Sequence, residues 1–189
     1  NKKVLGIEPS SKNKETAKKN YGVDLFDGLY QEYFKKNSEE KFDLAIMSHV
    51  LEHIPNPNET IKKLSIQNIK YIYIEVPSFE LQLEAEAYGA FFYEHINHFT
   101  TNSLTYLMKK NGYYPINLSI EYNVNNASPN FPVICSLWEK NRIINLKKII
   151  LPSNLLLENY FFKSEILFKN IQTKISNISK DSKIAIWGT

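Results

Sequence analysis

Short apolar segments rich in β-branched residues alternate with helical segments through the first half of this chain. The predicted strands are Lys3–Ile7, Val23–Phe26, Phe42–Met47 and Lys70–Val76, and the predicted helices between them are Asn13–Tyr21, Gly28–Lys36 and Asn58–Ser65. Strands that alternate with helices lie parallel in one sheet, with helices covering its faces. The pattern therefore predicts an α/β fold with a doubly wound, mostly parallel sheet.

The second half of the chain departs from this alternation. After a helix at Thr101–Asn111, two apolar segments, Tyr114–Tyr122 and Phe131–Glu139, follow one another without a helix between them. This arrangement predicts an antiparallel hairpin at the edge of the sheet. Leu155–Ile178 has apolar residues at three- and four-residue steps, which predicts a long amphipathic helix, and Lys183–Trp187 predicts one further strand. We expect one domain at 1–140, followed by a helical linker and a new strand at 141–189.

Composition excludes several classes of function. The only cysteine, Cys135, cannot form an internal disulfide or a cysteine-rich zinc site. The net charge is only +3 and the lysines are scattered, so no basic surface for nucleic acid is expected. The sequence shows neither a signal peptide nor an apolar stretch long enough to cross a membrane. We therefore expect a cytoplasmic protein that binds neither nucleic acid nor membrane.

An acidic residue follows the first predicted strand, in the segment Gly6–Ser10. Ligands of doubly wound sheets bind beyond the carboxyl ends of the strands, where a carboxylate can accept both hydroxyl groups of a ribose. Glu8 has this position. An ordinary acidic loop residue is the alternative, and the segment alone does not decide between them.

The segment Phe42–Pro57 runs from a predicted strand into a short apolar helix, with Ser48 and His49 at the junction. Its Leu-Glu-His sequence and proline-containing loop strongly resemble the segment after the fourth strand of class I S-adenosylmethionine-dependent methyltransferases. Gly6–Ser10 resembles the acidic loop after the second strand of the same family. The resemblance extends from about Lys3 to Lys140, and it implies a Rossmann-like fold.

The same segment contains a competing motif, because residues 49–53 have the form His-x-x-Glu-His found in inverted zinc peptidases. That motif needs both histidines on one face of a continuous helix, together with a third ligand. His49 directly follows a strand, and Pro55 ends the helix one turn later. We therefore predict no metal, and no stoichiometric zinc in the purified protein.

A second histidine motif, Phe91–Thr100, resembles the segment after the fifth strand of sugar C-methyltransferases. In that family a Tyr-His-Glu-His run places a histidine base near the acceptor carbon. Glu94 and His95 match the last two positions, whereas Phe92 and Tyr93 replace the tyrosine and the first histidine. A neutral histidine beside a carboxylate suits removal of a proton from a hydroxyl group or a carbon acid. Anchoring of the following helix is the alternative role for His95 and His98.

The resemblance implies S-adenosylmethionine as cofactor and methyl transfer to a small molecule, most simply a sugar or nucleotide-linked sugar. The cofactor-binding residues that it implies are Glu8 for the ribose, Asp27 near the adenine, and Ser48 and His49 at the methionine end. Glu94 and His95 are the implied catalytic residues, and Tyr93 and His98 are implied to contact the acceptor. A non-catalytic binding module with the same fold is the alternative function, and a dinucleotide enzyme is disfavoured by the Leu-Glu-His segment.

Members of the family also carry a first strand and a glycine-rich loop in the middle of the sheet. By the resemblance, this chain begins at the second strand and lacks both. We therefore expect an upstream segment or a second chain to cover the gap in the sheet, and we expect residues 141–189 to begin a second Rossmann-like unit.

Overall fold

The structure, a computed structural model, describes residues 4–85, 90–91, 93–123, 131–141, 155–178 and 183. The chain divides into two compact units, Asn1–Phe42 and Asp43–Thr189. Each unit has its own sheet. Within the described residues, none of the helices combines the length and the apolar character that crossing a bilayer requires.

The first unit is one βαβα segment. It contains β1 (Gly6–Glu8), α1 (Ser11–Tyr21), β2 (Leu25–Asp27) and α2 (Tyr30–Lys36), and the two strands pair in parallel. The Ser10 side chain caps α1 by accepting a hydrogen bond from the backbone of Asn13, and Gly22 ends the helix with φ 66°. Only glycine adopts that left-handed conformation without steric cost.

The second unit is built on a four-stranded sheet. Its strands are β3 (Leu44–Ser48), β4 (Tyr71–Pro77), β5 (Tyr113–Asn123) and β6 (Phe131–Lys140), and its helices are α3 (Pro57–Ile66), α4 (Phe79–Ala85), α5 (Thr101–Lys110) and α6 (Leu155–Ser176). The strand order is β3-β4-β6-β5, with β3 and β4 parallel and both contacts of β6 antiparallel. The predicted α/β class, the edge hairpin and the long helix are confirmed. The fold is Rossmann-like, with predominantly parallel pairing outside the hairpin.

One face of this sheet is fully packed. Ile72, Ile74 and Val76 on β4 are completely buried, as are Ile134 and Trp138 on β6. Helices α3 and α5 contribute Ile61, Leu64, Leu104 and Met108 to the same buried core. Buried and half-buried residues alternate along β4, as they do in a sheet that has one fully buried face.

The opposite face is only partly covered, above all at β3. This strand lies at one edge of the sheet, and its Leu44 and Ile46 side chains are 44% and 66% exposed. The β4 residues in register with them, Tyr71 and Tyr73, are half-buried. An edge strand with unpaired backbone groups and exposed apolar side chains can pair with a further strand.

Helix α4, which was not predicted from the sequence, packs against α6. Phe79, Leu83, Ala90 and Tyr160 form a buried cluster, against which Leu156 and Leu157 of α6 pack. The Tyr160 hydroxyl accepts a hydrogen bond from the backbone N–H of Ala90. This contact fixes the chain just before the second histidine motif. The predicted strand Lys183–Trp187 lies outside the described residues except for Lys183, and the structure does not test the domain boundary after residue 140.

Candidate functional site

The end of β3 forms an unusual turn at His49. Its backbone has φ 51°, a left-handed conformation that costs free energy for any residue other than glycine. The His49 N–H donates a hydrogen bond to the carbonyl oxygen of Glu75, which extends the pairing of β3 with β4 by one residue. Strained backbone of this kind is concentrated at functional sites, so the turn directs attention to the side chains that it presents.

Directly after this turn, the 3-10 turn Leu51–His53 carries a buried carboxylate. Glu52 is only 1% exposed, and its Oε1 lies 3.2 Å from Nδ1 of His49. Its other oxygen, Oε2, is buried and has no hydrogen-bond partner among the described residues. A buried charged oxygen without a partner is costly, since desolvation is not compensated by a hydrogen bond. The site therefore contains a buried hydrogen-bond acceptor, Oε2 of Glu52, to which no described residue donates.

His49 links this carboxylate to a second one at the end of β4. Its Nε2 lies 3.3 Å from Oε1 of Glu75, while its Nδ1 faces Glu52. The hydrogen bond with Glu52 raises the pKa of His49, and Glu75 acts in the same direction, against the opposing effect of burial. The Tyr73 hydroxyl donates to the other oxygen of Glu75. The arrangement favours a protonated His49 held between two carboxylates.

The two histidine motifs, separate in sequence, meet at this place. Nδ1 of His53 lies 2.8 Å from the carbonyl oxygen of Glu94. Asn97 adds further contacts, since its backbone N–H donates to the Glu52 carbonyl and its side chain donates to the Ile54 carbonyl at 2.7 Å. These bonds fix the loop of the second motif against the 3-10 turn of the first.

His95 completes the cluster. Its ring lies 4.9 Å from that of His53, centroid to centroid, in an edge-to-face arrangement. Ligand atoms of Glu52, His53 and His95 all lie within 4.8 Å of one another. Burial lowers the pKa of His95, and the charge of Glu52 only partly opposes this effect. We name Glu52, His53 and His95 the Glu-His-His cluster.

His98 lies elsewhere, in an aromatic environment. Its ring packs 4.7 Å from Phe79 and 5.1 Å from Phe91, and Phe91 in turn contacts Tyr160 and Phe161 of α6. Its Nε2 is buried without a hydrogen-bond partner among the described residues. Burial lowers the pKa of His98. The His98 ring is therefore packed among aromatic side chains.

The two other predicted residues of the second motif, Tyr93 and Glu94, are exposed. Tyr93 is 91% exposed, and its hydroxyl donates to Oε1 of Glu94 at 2.8 Å. Glu94 contributes its backbone carbonyl to the site through His53. Phe92 lies outside the described residues.

In the first unit, the predicted cofactor residues Glu8 and Asp27 are neighbours. They are register partners at the carboxyl ends of β1 and β2. Oε1 of Glu8 accepts a hydrogen bond from the backbone N–H of Ser10, and the Asp27 carboxylate lies near Ser11 and Lys14 of α1. The predicted residues Ser48 and His49 belong to the second unit, at the carboxyl end of β3.

Four residues of the site were not assigned a role from the sequence, namely Glu52, His53, Glu75 and Asn97. Glu52 stands in the Leu-Glu-His segment that carried the resemblance, and Asn97 stands between the two histidines of the second motif. Glu75 is the only charged residue of β4, at its carboxyl end. A charged residue at the carboxyl end of an otherwise apolar strand lies where ligands bind, so Glu75 could have been identified from the sequence as a candidate site residue.

Comparison with known proteins gives one family match. The sequence profile of a family described as a methyltransferase domain matches residues 1–118. No curated protein sequence matches the chain.

Several solved structures share the fold. One is an S-adenosylmethionine-dependent methyltransferase from Thermotoga maritima, described as a possible histamine N-methyltransferase, with 20% identity and TM-score 0.51 over 71% of this chain and 72% of that one. A second is the methyltransferase domain of bacterial CtHen1-C, with 16% identity and TM-score 0.53 over 74% of this chain and 78% of that one. A third is the small RNA methyltransferase HEN1, with 15% identity and TM-score 0.53 over 80% of this chain and 21% of that one.

Proposed function

Because the chain belongs to the methyltransferase domain family and is an S-adenosylmethionine-dependent methyltransferase, we propose that it methylates a small molecule of sugar type. Nucleotide-linked sugars are the first class to test. The resemblance of Phe91–Thr100 to the sugar C-methyltransferases supports this choice of acceptor. A cytoplasmic location would give the enzyme access to both the cofactor and such acceptors.

The Glu-His-His cluster is the observation that carries the proposal. Methyl transfer from a sulfonium needs alignment of the reactants and, for a hydroxyl group or a carbon acid, removal of a proton. The cluster lies beyond the carboxyl ends of β3 and β4, where ligands of α/β sheets bind. It combines a buried carboxylate with two imidazoles in one place. We therefore assign proton removal from the acceptor to this cluster.

Within the cluster, His95 is the simplest choice for the group that receives the proton. It lies beside a buried carboxylate that stabilises an imidazolium, and its loop is tied to the 3-10 turn by Asn97 and by the backbone of Glu94. The exposed Tyr93 and Glu94 side chains are left to contact the acceptor. We assign His98 to anchoring of the loop, since its ring is packed among Phe79 and Phe91.

The residues present suit the cofactor. S-adenosylmethionine supplies, when bound, a methyl group on a sulfonium sulfur, together with ribose hydroxyls that a carboxylate can accept. Glu8 and Asp27 place two carboxylates side by side at the carboxyl ends of parallel strands. We assign Glu8 to the ribose hydroxyls and Asp27 to the vicinity of the adenine. Ser48 and His49, at the end of β3, are assigned to the methionine portion.

The exposed edge of β3 is also part of the proposal. Leu44 and Ile46 are apolar and exposed on a strand that, in the part of the chain that the structure describes, has a neighbour on one side only. We assign this edge to a further strand, supplied by another segment of the protein or by a second chain. Pairing there would satisfy backbone groups of β3 and cover both side chains.

A panel of acceptors tests the assignment of substrate class. Full-length protein would be incubated with S-adenosylmethionine labelled in its methyl group and with nucleoside diphosphate sugars, histamine or a small RNA duplex. The proposal predicts that label is incorporated into one or more of the sugars. Transfer to histamine or RNA alone would contradict the sugar assignment. Transfer to none of them, together with no binding of S-adenosylhomocysteine, would favour a non-catalytic binding module.

A further inference from the structure

We propose that Glu52, His53 and His95 bind a divalent transition-metal ion, which would act on an oxygen of the acceptor. This inference rests on the proposed function for the role of the ion, whereas the binding of the ion rests on the geometry of the cluster alone. It goes against the sequence prediction that the protein has no metal.

The first observation is the buried oxygen of Glu52. The residue is 1% exposed, and Oε2 finds no donor among the described residues. Oε1 is engaged by Nδ1 of His49 at 3.2 Å, so the other oxygen of the carboxylate is left for a ligand. A cation would remove the cost of burying this unpaired oxygen, because coordination replaces the lost hydration.

The second observation is the orientation of His53. A carbonyl oxygen can only accept a hydrogen bond, so the 2.8 Å contact with the Glu94 carbonyl places the proton on Nδ1. In the neutral ring, Nε2 then carries a lone pair, and it lies 3.8 Å from Oε1 of Glu52. Metal-binding histidines commonly donate their other ring N–H to a backbone carbonyl in this way, which fixes the tautomer and the ring orientation.

The third observation is the convergence of the three groups. Ligand atoms of Glu52, His53 and His95 lie within 4.8 Å of one another. Metal–ligand bonds of about 2.0–2.2 Å need these atoms slightly closer together, which small side-chain rotations provide. The His53 side chain is 40% exposed and has room to move. Two imidazoles and one carboxylate suit Zn²⁺, Co²⁺, Mn²⁺ or Fe²⁺ and leave coordination positions open for an acceptor oxygen.

The proposed set of ligands differs from that of an inverted zinc peptidase. In such an enzyme both histidines of His49–His53 would bind the metal from one continuous helix. Here His49 lies in a left-handed turn before the 3-10 turn, and both its ring nitrogens face carboxylates. The third ligand comes instead from His95 in the second motif. The reason for predicting no metal, the break at His49, therefore applies to the peptidase set and not to this one.

A cation at this position would refine the role of His95. As a ligand, His95 would no longer receive the acceptor proton itself. The cation would lower the pKa of an acceptor hydroxyl group, so that its proton could leave to solvent water near neutral pH. His95 would remain essential, but as the group that holds the ion.

Direct binding measurements test the site without reference to activity. Full-length protein, freed of metal with a chelator, would be titrated with Zn²⁺ by calorimetry and with Co²⁺ by its visible ligand-field absorption. We expect one equivalent to bind. The variants Glu52→Gln, His53→Asn and His95→Asn should each weaken binding by at least about 100-fold, since removal of a ligand should cost as much as or more than removal of a supporting contact. The partly exposed His53 keeps the test valid if Glu52→Gln does not fold.

Matched variants separate this site from its alternatives. Glu94→Gln removes an exposed carboxylate but keeps the carbonyl that holds His53, so cation affinity should be unchanged. His49→Asn should lower affinity by only about 10-fold, because His49 supports Glu52 without binding the ion. No binding by the wild-type protein would overturn the proposal. Loss of binding in His49→Asn with full binding in His95→Asn would overturn it in favour of the peptidase set.

The two proposals can fail separately. Unchanged methyl transfer by metal-free protein would contradict a role of the cation in the reaction and would leave His95 as the group that receives the proton. One equivalent of bound cation, without methyl transfer to any sugar, would support the site and contradict the sugar acceptor.

Discussion

Nδ1 of His53 donates a hydrogen bond to the carbonyl oxygen of Glu94, 2.8 Å away and 41 positions later in the chain. This bond joins the segment after β3 to the loop that follows α4. Two motifs that look independent in the sequence thereby form one site. The joined loops bring a buried carboxylate and two imidazoles to the carboxyl end of the sheet.

The Asn97 side chain should help to hold these two loops together. Asn97→Ala removes the 2.7 Å bond to the Ile54 carbonyl but keeps the backbone bond to Glu52. We expect a loss of stability of about 1 kcal/mol and lower turnover, because His95 is then held less firmly. Thermal unfolding and turnover measure the two effects. Asn170→Ala, at an exposed position of α6, is the control. Equal stability and equal turnover of the two variants would contradict the role of the Asn97 side chain in holding the two loops together.

Glu8 should matter for the cofactor. Glu8→Ala should weaken binding of S-adenosylhomocysteine by roughly 1–3 kcal/mol, because a charged acceptor for the ribose hydroxyls is lost. Calorimetry on the full-length protein is the measurement. Asp24→Ala is a suitable control, since Asp24 is 80% exposed and its ion-pair partner among the described residues is Lys18, on the surface. Unchanged affinity in the Glu8 variant would remove this residue from the site.

The backbone amides at the edge of β3 should be protected from hydrogen exchange in the full-length protein. If a further strand pairs with Leu44–Ser48, the amide groups of β3 that do not bond to β4 should exchange with deuterium slowly. Strand β4, paired on both sides by β3 and β6, gives the protected reference. Fast exchange of those β3 amides in the full-length protein would show that the edge stays open.

Much of the fold follows from local patterns in the sequence. Strands such as Tyr71–Pro77 are predictable because buried strands are continuous apolar segments, and α5 is predictable from its Thr100 cap and its apolar face. Helix α4, Phe79–Ala85, was not predicted from the sequence. Its position depends on packing against α6, which lies far along the chain.

The candidate site was predicted only in part. The sequence indicated His49, Glu94 and His95 through the resemblance of their segments to class I methyltransferases. It did not indicate that Glu52 would be buried with one oxygen unused, or that His98 would pack among aromatic rings. Those properties depend on contacts between segments distant in sequence, and no local pattern encodes them.

The His98→Asn variant is the control for the His95→Asn variant. Its ring is packed against Phe79 and Phe91 and lies outside the cluster. His98→Asn should therefore lower stability by about 1–2 kcal/mol, with turnover per folded molecule roughly preserved. Melting temperature and turnover, corrected for the folded fraction, separate these effects.

The most direct test of the account is methyl transfer by the His95→Asn variant, measured with labelled S-adenosylmethionine and the sugar acceptor that the panel identifies. Turnover should fall by about two to four orders of magnitude, with affinity for S-adenosylhomocysteine nearly unchanged. This result is expected whether His95 receives the proton or holds a cation. Turnover per folded molecule near that of the wild-type protein would contradict a catalytic cluster at Glu52, His53 and His95.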